Sequence, residues 1–490
     1  MKNQTHTRRS FLKRLSLAAA AAAAGCKPLA VSRDVSSSEP PKPPARKPNV
    51  ILIFVDDMGY GDIGPFGSKA NRTPQLDRIA AEGMRFTSFY VTSGVCTPSR
   101  SSLMTGCYPR RVNLHQDERR LCVLFPSGRK GLNPNEITIA EILKDRGYAT
   151  TCIGKWHLGD QPEFLPTRQG FDSYFGIPYS NDMGGKSTKP GGRPPLPLMR
   201  DEKVIEAPVR QPNLTKRYTE EAVTFIKANR DRPFFVYLPH VMVHLPLQAS
   251  AAFKGTSANG IYGDAVEELD WSTGRIIQTL KDLDIDKDTL IIFTSDNGST
   301  GRHGGSNVPL RGRKGQTWEG GMRVPCLMRW PGRIPAGTTC KEPVSTLDVL
   351  PTLAALAGAE PPKDRIIDGR DIWSLMSGSP GAKSPHEAFY FYQMDQIQAV
   401  RSGRWKLFVP MDAKKRNWGK PEGKTPVMLF DLEADLAESK DLSAEHPDVV
   451  RRLTALADKA RADLGDVGRA GAGQREAGWV DRATPRLRDE

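Results

Sequence analysis

The sequence predicts an α/β protein. A large domain holds a central mixed, mostly parallel sheet between helices, and a small C-terminal α+β domain follows with an antiparallel sheet and a terminal helix. Three observations carry this. Continuous apolar runs of strand length stand at NVILIFV (49–55), PFFVYLPH (233–240) and TLIIFT (289–294), the pattern of strands buried on both faces. Amphipathic helical patterns separate them, and such alternation is the mark of a parallel sheet. After about residue 380 the order changes to short strands and then one long helical pattern.

The elements can be justified in order. Residues 1–26 read as an address. TRRSFLK (7–13) resembles a twin-arginine export signal, and an Ala-rich stretch ends in AAGC (23–26). Cys26 after small residues matches a bacterial lipoprotein site; a simply cleaved signal is the alternative. The expectation is a bacterial protein exported by the Tat machinery, in the periplasm or membrane-anchored as a lipoprotein. Residues 27–48 are a Pro/Ser-rich linker, too poor in apolar side chains to fold. The large domain spans 49–380, with helices expected at 74–83, 138–147, 216–229 and 262–283 between the strands. The C-terminal subdomain spans 381–465, with strands at 399–409 and 427–432 and a helix at 447–464. The Gly- and Arg-rich end, 466–490, is expected to be a flexible tail.

Composition narrows the class. The 490 residues carry a net charge of +14, and Lys2, Arg8, Arg9, Lys13 and Arg14 contribute to it ahead of the body. The remaining excess favours anionic partners weakly. No zinc-finger spacing or arginine-rich reading helix argues for nucleic acid. No apolar run after residue 30 reaches membrane-spanning length. The 7 cysteines include no CxxC, so most read as small buried hydrophobes.

Two of the buried strands end in oxygen ligands: Asp56-Asp57 after 49–55, and Asp296-Asn297 after 289–294. Either alone reads as a turn. Together, at the carboxyl ends of strands where α/β ligands gather, they point to a hard cation, Ca²⁺ or Mg²⁺. Lys155 and His157 alternate in GKWHLG (154–159) and so face one side of an extended segment. RGRKGQTWEGG (311–321) is a Gly-rich basic loop that would suit an anion with several oxygens. Cys96, in SGVCTPSRSSLMTG (93–106), stays open as inert thiol, disulfide partner, metal ligand or nucleophile.

CTPSRSSLMTG and GKWHLG resemble the two signatures of the formylglycine-dependent sulfatases, a branch of the alkaline phosphatase superfamily. NVILIFVDDMGYGDIG, PTRQGFDSYFGIPYSNDM, FTSDNG, GGSNVPLRGRKGQTWEGGMRVP and DVLPTLAALAG agree in order, so the resemblance covers nearly the whole body. Its flavour is that of the arylsulfatase A and N-acetylgalactosamine-6-sulfatase branch, from which Arg313 departs by replacing a glycine. The resemblance implies an alkaline phosphatase-like fold and a sulfuric ester hydrolase acting on a sulfated carbohydrate or aryl sulfate.

It also implies roles. Cys96 would be oxidised to formylglycine by a formylglycine-generating enzyme that reads Pro98 and Arg100. Its hydrate would attack sulfur through one hydroxyl and release sulfate through the other. Arg100 would also steady the formylglycine. Asp56, Asp57, Asp296 and Asn297, with the residue at Cys96, would ligate the metal, Ca²⁺ ahead of Mg²⁺. Lys155, His244 and Lys314 would hold the sulfate or protonate the leaving oxygen, and His157 would serve as base beside the diol. Ser180 would lie near the sulfate, with His240 supporting His244. Asp182, Met183, Arg302, His303 and FYFYQMDQ (389–396) stand where substrate pockets vary. Two other readings compete: a phosphonate or phosphate ester hydrolase of the same superfamily, and a non-catalytic lipoprotein that binds sulfated glycans.

Overall fold

The computed structural model describes residues 47–187, 189, 192–417 and 420–488. The expected export signal, Cys26 and the linker up to residue 46 lie outside the described residues. Asn49–Val55 is a strand with every side chain buried, which an unbroken apolar run achieves at the centre of a sheet covered on both faces. Its neighbours are the other two apolar runs. Thr289–Ser295 pairs with it in parallel on one side, Val55 opposite Ser295, and Phe234–Pro239 on the other. In space the ten strands run Thr338–Cys340, Met84–Phe86, Cys326–Arg329, Thr289–Ser295, Asn49–Val55, Phe234–Pro239, Ala149–Lys155, Ser173–Ile177, Leu198–Arg200 and Lys203–Glu206. The block from Thr289–Ser295 to Ser173–Ile177 is parallel. Cys326–Arg329 and Leu198–Arg200 run antiparallel to it. The sheet is therefore mixed and mostly parallel, as expected.

Alternation along the central strand sorts the helices into two layers. Val50, Leu52 and Phe54 join Leu103, Met104, Ile139, Leu143 and Leu350 in one core. Ile51, Ile53 and Val55 join Leu76, Ile79, Tyr218, Ile226 and Leu269 in the other. Cys96–Thr105, Ile139–Asp145 and Val349–Leu356 thus cover one face; Pro74–Glu82, Leu214–Ala228 and Gly260–Asp282 cover the opposite one. Thr138 and Glu141 form a reciprocal capping box at the start of Ile139–Asp145.

One glycine in the parallel block bears directly on the site. Gly154 has φ +135, and a Cβ there would meet the Pro239 carbonyl oxygen at 2.0 Å. Its absence lets the strand carrying Lys155 lie against the neighbouring backbone. Gly154→Ala is expected to cost about 1–3 kcal/mol, since backbone must shift to admit the methyl. A lowered denaturant midpoint checks this; an unchanged one contradicts it.

The C-terminal sheet is antiparallel, in the order Phe389–Gln393, Gln396–Ser402, Trp405–Phe408 and Met428–Asp431, and Pro447–Leu464 packs on it. The single strand expected at 399–409 is a hairpin instead. Gly403, with φ +57, reverses the chain there, so Ser402 pairs with Trp405. Trp318 of the large domain packs against Phe408 and Phe430, with ring centroids 4.3 and 5.8 Å away.

The flexible tail expected at 466–490 is also corrected over its described part. Gly478–Trp479 pairs with Lys130–Gly131, the Arg475 guanidinium bonds Glu136 at 2.7 and 2.9 Å, and Thr484 N–H donates to Gln161. The low apolar content suggested solvent. Partly buried ion pairing and strand addition hold the segment instead.

Candidate active site

Parallel strands that end level bring the residues after them together. Because Val55 lies opposite Ser295, the Asp57 N–H reaches Asp296 Oδ1 at 3.1 Å, and Asn297 Nδ2 donates to Asp57 Oδ1 at 2.8 Å. Asp57 takes a left-handed backbone, φ +63, which ends the strand abruptly. Asp56, Asp296 and Asn297 are fully buried.

Cys96 opens the helix Cys96–Thr105, in the turn whose N–H groups have no partner within the helix. Its Sγ lies 3.5 Å from Asp56 Oδ1 and 3.9 Å from Lys314 Nζ. Burial, and then the Asp56 carboxylate, push the thiol well above its ordinary pKa. One turn on, Arg100 holds Asp296 Oδ2 through Nε and Nη2 at 3.1 and 2.8 Å and bonds the Lys155 carbonyl at 3.0 Å. It also lies 3.5 Å from Asp56. Arg100 thereby ties the helix to three strand ends at once.

The cations close around these carboxylates. Lys155 Nζ donates to Asp56 Oδ2 at 2.5 Å and to Ser180 Oγ at 3.2 Å. Lys314 Nζ lies 2.6 Å from Asp57 Oδ1 and 2.8 Å from Oδ2. Burial works upward on the Asp56 carboxyl, but Lys155, His244 and Arg100 outweigh it and hold the group well below the usual range. Asp296 is pushed up to about 7, by burial first and then by Asp56.

Hydrogen bonds fix the tautomers of two histidines. His244 Nδ1 faces two acceptors, Leu245 O at 2.6 Å and Asn181 Oδ1 at 3.1 Å, so it carries the proton; Nε2 is left 3.9 Å from Asp57 Oδ2. His157 Nε2 donates to Leu124 O at 2.9 Å, which leaves its buried Nδ1 a free acceptor. Burial and Lys155 hold the His157 pKa well below its ordinary value, so the ring is neutral. Its backbone carbonyl accepts from Thr97 Oγ1 at 3.0 Å, which ties it to the residue after Cys96.

The donor set fits a divalent cation, with the oxygens of Asp56, Asp57 and Asn297 as hard ligands beside the softer Cys96 and His244. Asn297 Oδ1 is buried and has no hydrogen-bond partner among the described residues. Such an atom costs about 1–3 kcal/mol if nothing meets it. Asp56, Asp57, Cys96 and His244 each bring one ligand atom within 4.8 Å of the others. Carboxylate and amide oxygens suit Ca²⁺ or Mg²⁺ better than zinc.

Not every expected residue joins the cluster. His240 is fully buried, with Nε2 3.3 Å from Ser272 Oγ and its ring against Tyr218. Burial lowers its pKa to about 3. It is a core residue: its contacts are with Ser272 and Tyr218, and it does not line the cavity over the acid cluster, so the expected place among the substrate-binding residues, in support of His244, is corrected. Asp182 and His303 line a cavity of about 520 Å³ that opens over Asp57, His244 and Lys314. Gln393, from the FYFYQMDQ stretch expected near the pocket, lines it as well, but sequence reasoning missed the rest of that wall. Gln398, Lys414, Lys415, Arg416, Asn417 and Glu422 come from the C-terminal domain. The basic run KKR at 414–416 was the available signal.

The chain matches the Sulfatase family model over residues 48–359 and the model for the C-terminal region of aryl-sulfatase over 384–479. It is 40% identical to arylsulfatase A of Homo sapiens over 451 residues, covering 84% of this chain and 87% of that protein. It is 40% identical to N-acetylgalactosamine-6-sulfatase of Canis lupus familiaris over 409 residues, 80% of this chain and 76% of that one. Among solved structures, Ps i-CgsB in complex with k-i-k-neocarrahexaose superposes with a TM-score of 0.73 at 31% identity, covering 84% of this chain and 92% of that chain. The matched stretches contain both strand-end acid pairs, the Cys96 helix and the Lys155 and Lys314 segments, and with them this chain belongs to the sulfatase family as a sulfuric ester hydrolase.

Proposed function

We propose that the protein hydrolyses sulfate esters of carbohydrates, with Cys96 converted to formylglycine and Ca²⁺ held by Asp56, Asp57, Asp296 and Asn297. One observation carries the reading: a buried cysteine at a helix start, 3.5 Å from Asp56 and 3.9 Å from Lys314. As formylglycine hydrate, this residue would supply the attacking oxygen and a second hydroxyl for release of sulfate. The cation, when bound, would polarise a sulfate oxygen. The cavity supports a carbohydrate substrate because amides and charged groups line it, Gln316, Gln393 and Gln398 among them. The Ps i-CgsB complex with neocarrahexaose points the same way. Export by the Tat route, with or without a lipid on Cys26, belongs to this proposal.

The chain's own residues divide the work. Asp57 keeps Lys314 charged, its pKa raised despite burial, so Nζ can hold the anionic sulfate. Lys155 Nζ, beside Ser180, offers a second cation. Lys314 Nζ borders the cavity and is positioned to hand a proton to the leaving oxygen; His244 Nε2, unprotonated while Nδ1 carries the proton, could do so only from the imidazolium form. His157 Nδ1, neutral and free, can take the proton whose loss releases sulfate. Arg100 keeps Asp296 and the helix start in place.

Anion release tests this. Sulfated galactose, N-acetylgalactosamine, glucosamine and fucose should release sulfate, while matched phosphate and phosphonate esters should release far less. Release from phosphate or phosphonate esters alone would assign the chain to the competing hydrolase class. Mass spectrometry of the Cys96 peptide should show aldehyde; a quantitative thiol in active protein from the native host would remove the formylglycine step.

A further inference from the structure

We infer that the active-site cavity contains a second anion-binding subsite, formed by Arg302, Arg313 and Lys414, so that the preferred substrate carries another anionic group besides the ester that is cut. The inference rests on the sulfatase reading of this cavity and deepens it.

Charge accounting around the cavity leads there. The ester being cut is a monoanion, which on the sulfatase reading falls to Lys155 and Lys314 together with the acid cluster they pair with, Asp56 and Asp57. The wall beyond them is still basic, with Arg302, Arg313, Lys414, Lys415 and Arg416 against the carboxylates of Asp182 and Glu422. Two of these cations are matched within the protein: Lys415 Nζ lies 2.5 Å from Asp395, and Arg416 Nε lies 3.7 Å from Glu422. Arg302, Arg313 and Lys414 form no ion pair within 4.0 Å of a carboxylate among the described residues, although Glu422 and Glu438 act on Lys414 from farther away. Arg302 and Arg313 are exposed residues of the cavity lining, and their hydrogen bonds among the described residues, to Thr300 and to Gln316, run through the backbone N–H rather than the guanidinium.

Lys414 is the most telling of the three. A lysine without a counter-ion ordinarily extends its ammonium into water. This side chain is instead only 9% exposed. Its Nζ sits 5.1 Å from the Trp318 ring centroid and 5.3 Å from that of Phe408. Burial outweighs the pull of Glu422 and Glu438 and pushes its pKa down, so the charged form has less compensation than in water. An anion in the cavity would supply it. Trp318 and Phe408 fix the ammonium from two domains, and Arg302 and Arg313 come from separate turns of the large domain. Planar guanidinium forks suit sulfate and carboxylate alike. The shared chemistry is therefore an oxyanion on the substrate, a second sulfate or a uronic carboxylate.

The test uses the full, formylglycine-bearing enzyme and three matched disaccharides with the same cleavable sulfate. One is otherwise neutral, one bears a second sulfate and one a uronate. At low ionic strength kcat/KM should be at least about tenfold higher for one or both dianions. The arm that shows the preference identifies the oxyanion. Added salt should shrink the preference. The Arg302→Ala/Arg313→Ala double variant should lower the dianion-to-monoanion ratio at least about tenfold, mainly through KM. Lys414→Met should lower it too, and the exposed arginines keep the test decisive if that buried variant folds poorly. Equal kcat/KM for all three substrates in the wild type, or a ratio the variants leave untouched, overturns the inference while the sulfatase reading stands. No sulfate release from any of the three overturns both.

Discussion

Replacing Cys96 with alanine is expected to cut sulfate release by at least ~10⁴-fold in a protein that still folds. Losing the nucleophile of a covalent mechanism costs this much or more. The structural cost is small, because both of the thiol's polar contacts among the described residues are long, at 3.5 and 3.9 Å, and the side chain is small. Arg100, which ties the helix to Asp296 and to the Lys155 carbonyl, is untouched. Cys96→Ser gives the sharper result. A serine at this position, shown by mass spectrometry to be unmodified, keeps an oxygen nucleophile, but its adduct with sulfate has no second hydroxyl to expel the group. One equivalent of alcohol should be released in a burst and then turnover should stall, with one sulfuryl group added to the peptide that carries the new serine. Steady turnover by Cys96→Ala, or by unmodified Cys96→Ser, would remove residue 96 from the chemistry.

The acid cluster was legible because its cause is local. An apolar run that ends in Asp56-Asp57, and another that ends in Asp296-Asn297, had to finish at one sheet edge once both were central parallel strands. Lys155 is the last residue of its own strand, so the same logic reaches it. The roles of Cys96, Lys314 and His244 came through resemblance; composition alone left the Cys96 thiol open. What escaped was set by distant contacts. The burial of His240 depends on Tyr218 and Ser272, helical residues that its own segment does not reveal. The 399–409 hairpin turned on one residue, Gly403. The second wall of the cavity needs the C-terminal sheet to dock, and the basic run at 414–416 marks charge without showing where that sheet lies.

That docking can be broken at one atom. Lys406 is fully buried, and its Nζ bonds the Thr317 carbonyl at 2.9 Å and Glu319 Oε1 at 2.9 Å, with Glu438 2.8 Å away. Lys406→Met is expected to cost about 3–5 kcal/mol, because two buried carboxylates lose a shared cation. The pH dependence gives the cause away. Burial works upward on Glu319, but Lys406, Arg323 and Arg401 hold it down at about 2. Its ionised form therefore stabilises the fold above the ordinary carboxylate pKa, and that contribution is lost only as pH falls toward 2. Glu438 is pushed up to about 7, by burial against the pull of Lys406 and with the push of Glu319. The folded state thus binds its proton more tightly than the unfolded one, and stability from this group falls as pH rises from the ordinary carboxylate range through about 7. Without Lys406 both carboxyls shift upward, so the variant's deficit should be smallest near pH 5 and grow toward pH 8. Denaturant midpoints of wild type and variant at those two pH values measure it. A deficit of the same size at both would mean that Lys406 matters through packing against Phe391 and Phe408 rather than through its charge. The variant should also lose the dianion preference earlier in a denaturant series than it loses the large domain. Trp318, Phe408 and Lys414 are positioned by the interface that Lys406 secures, whereas Asp56 and Lys155 sit on the central sheet and Cys96 on the helix that Arg100 ties to it.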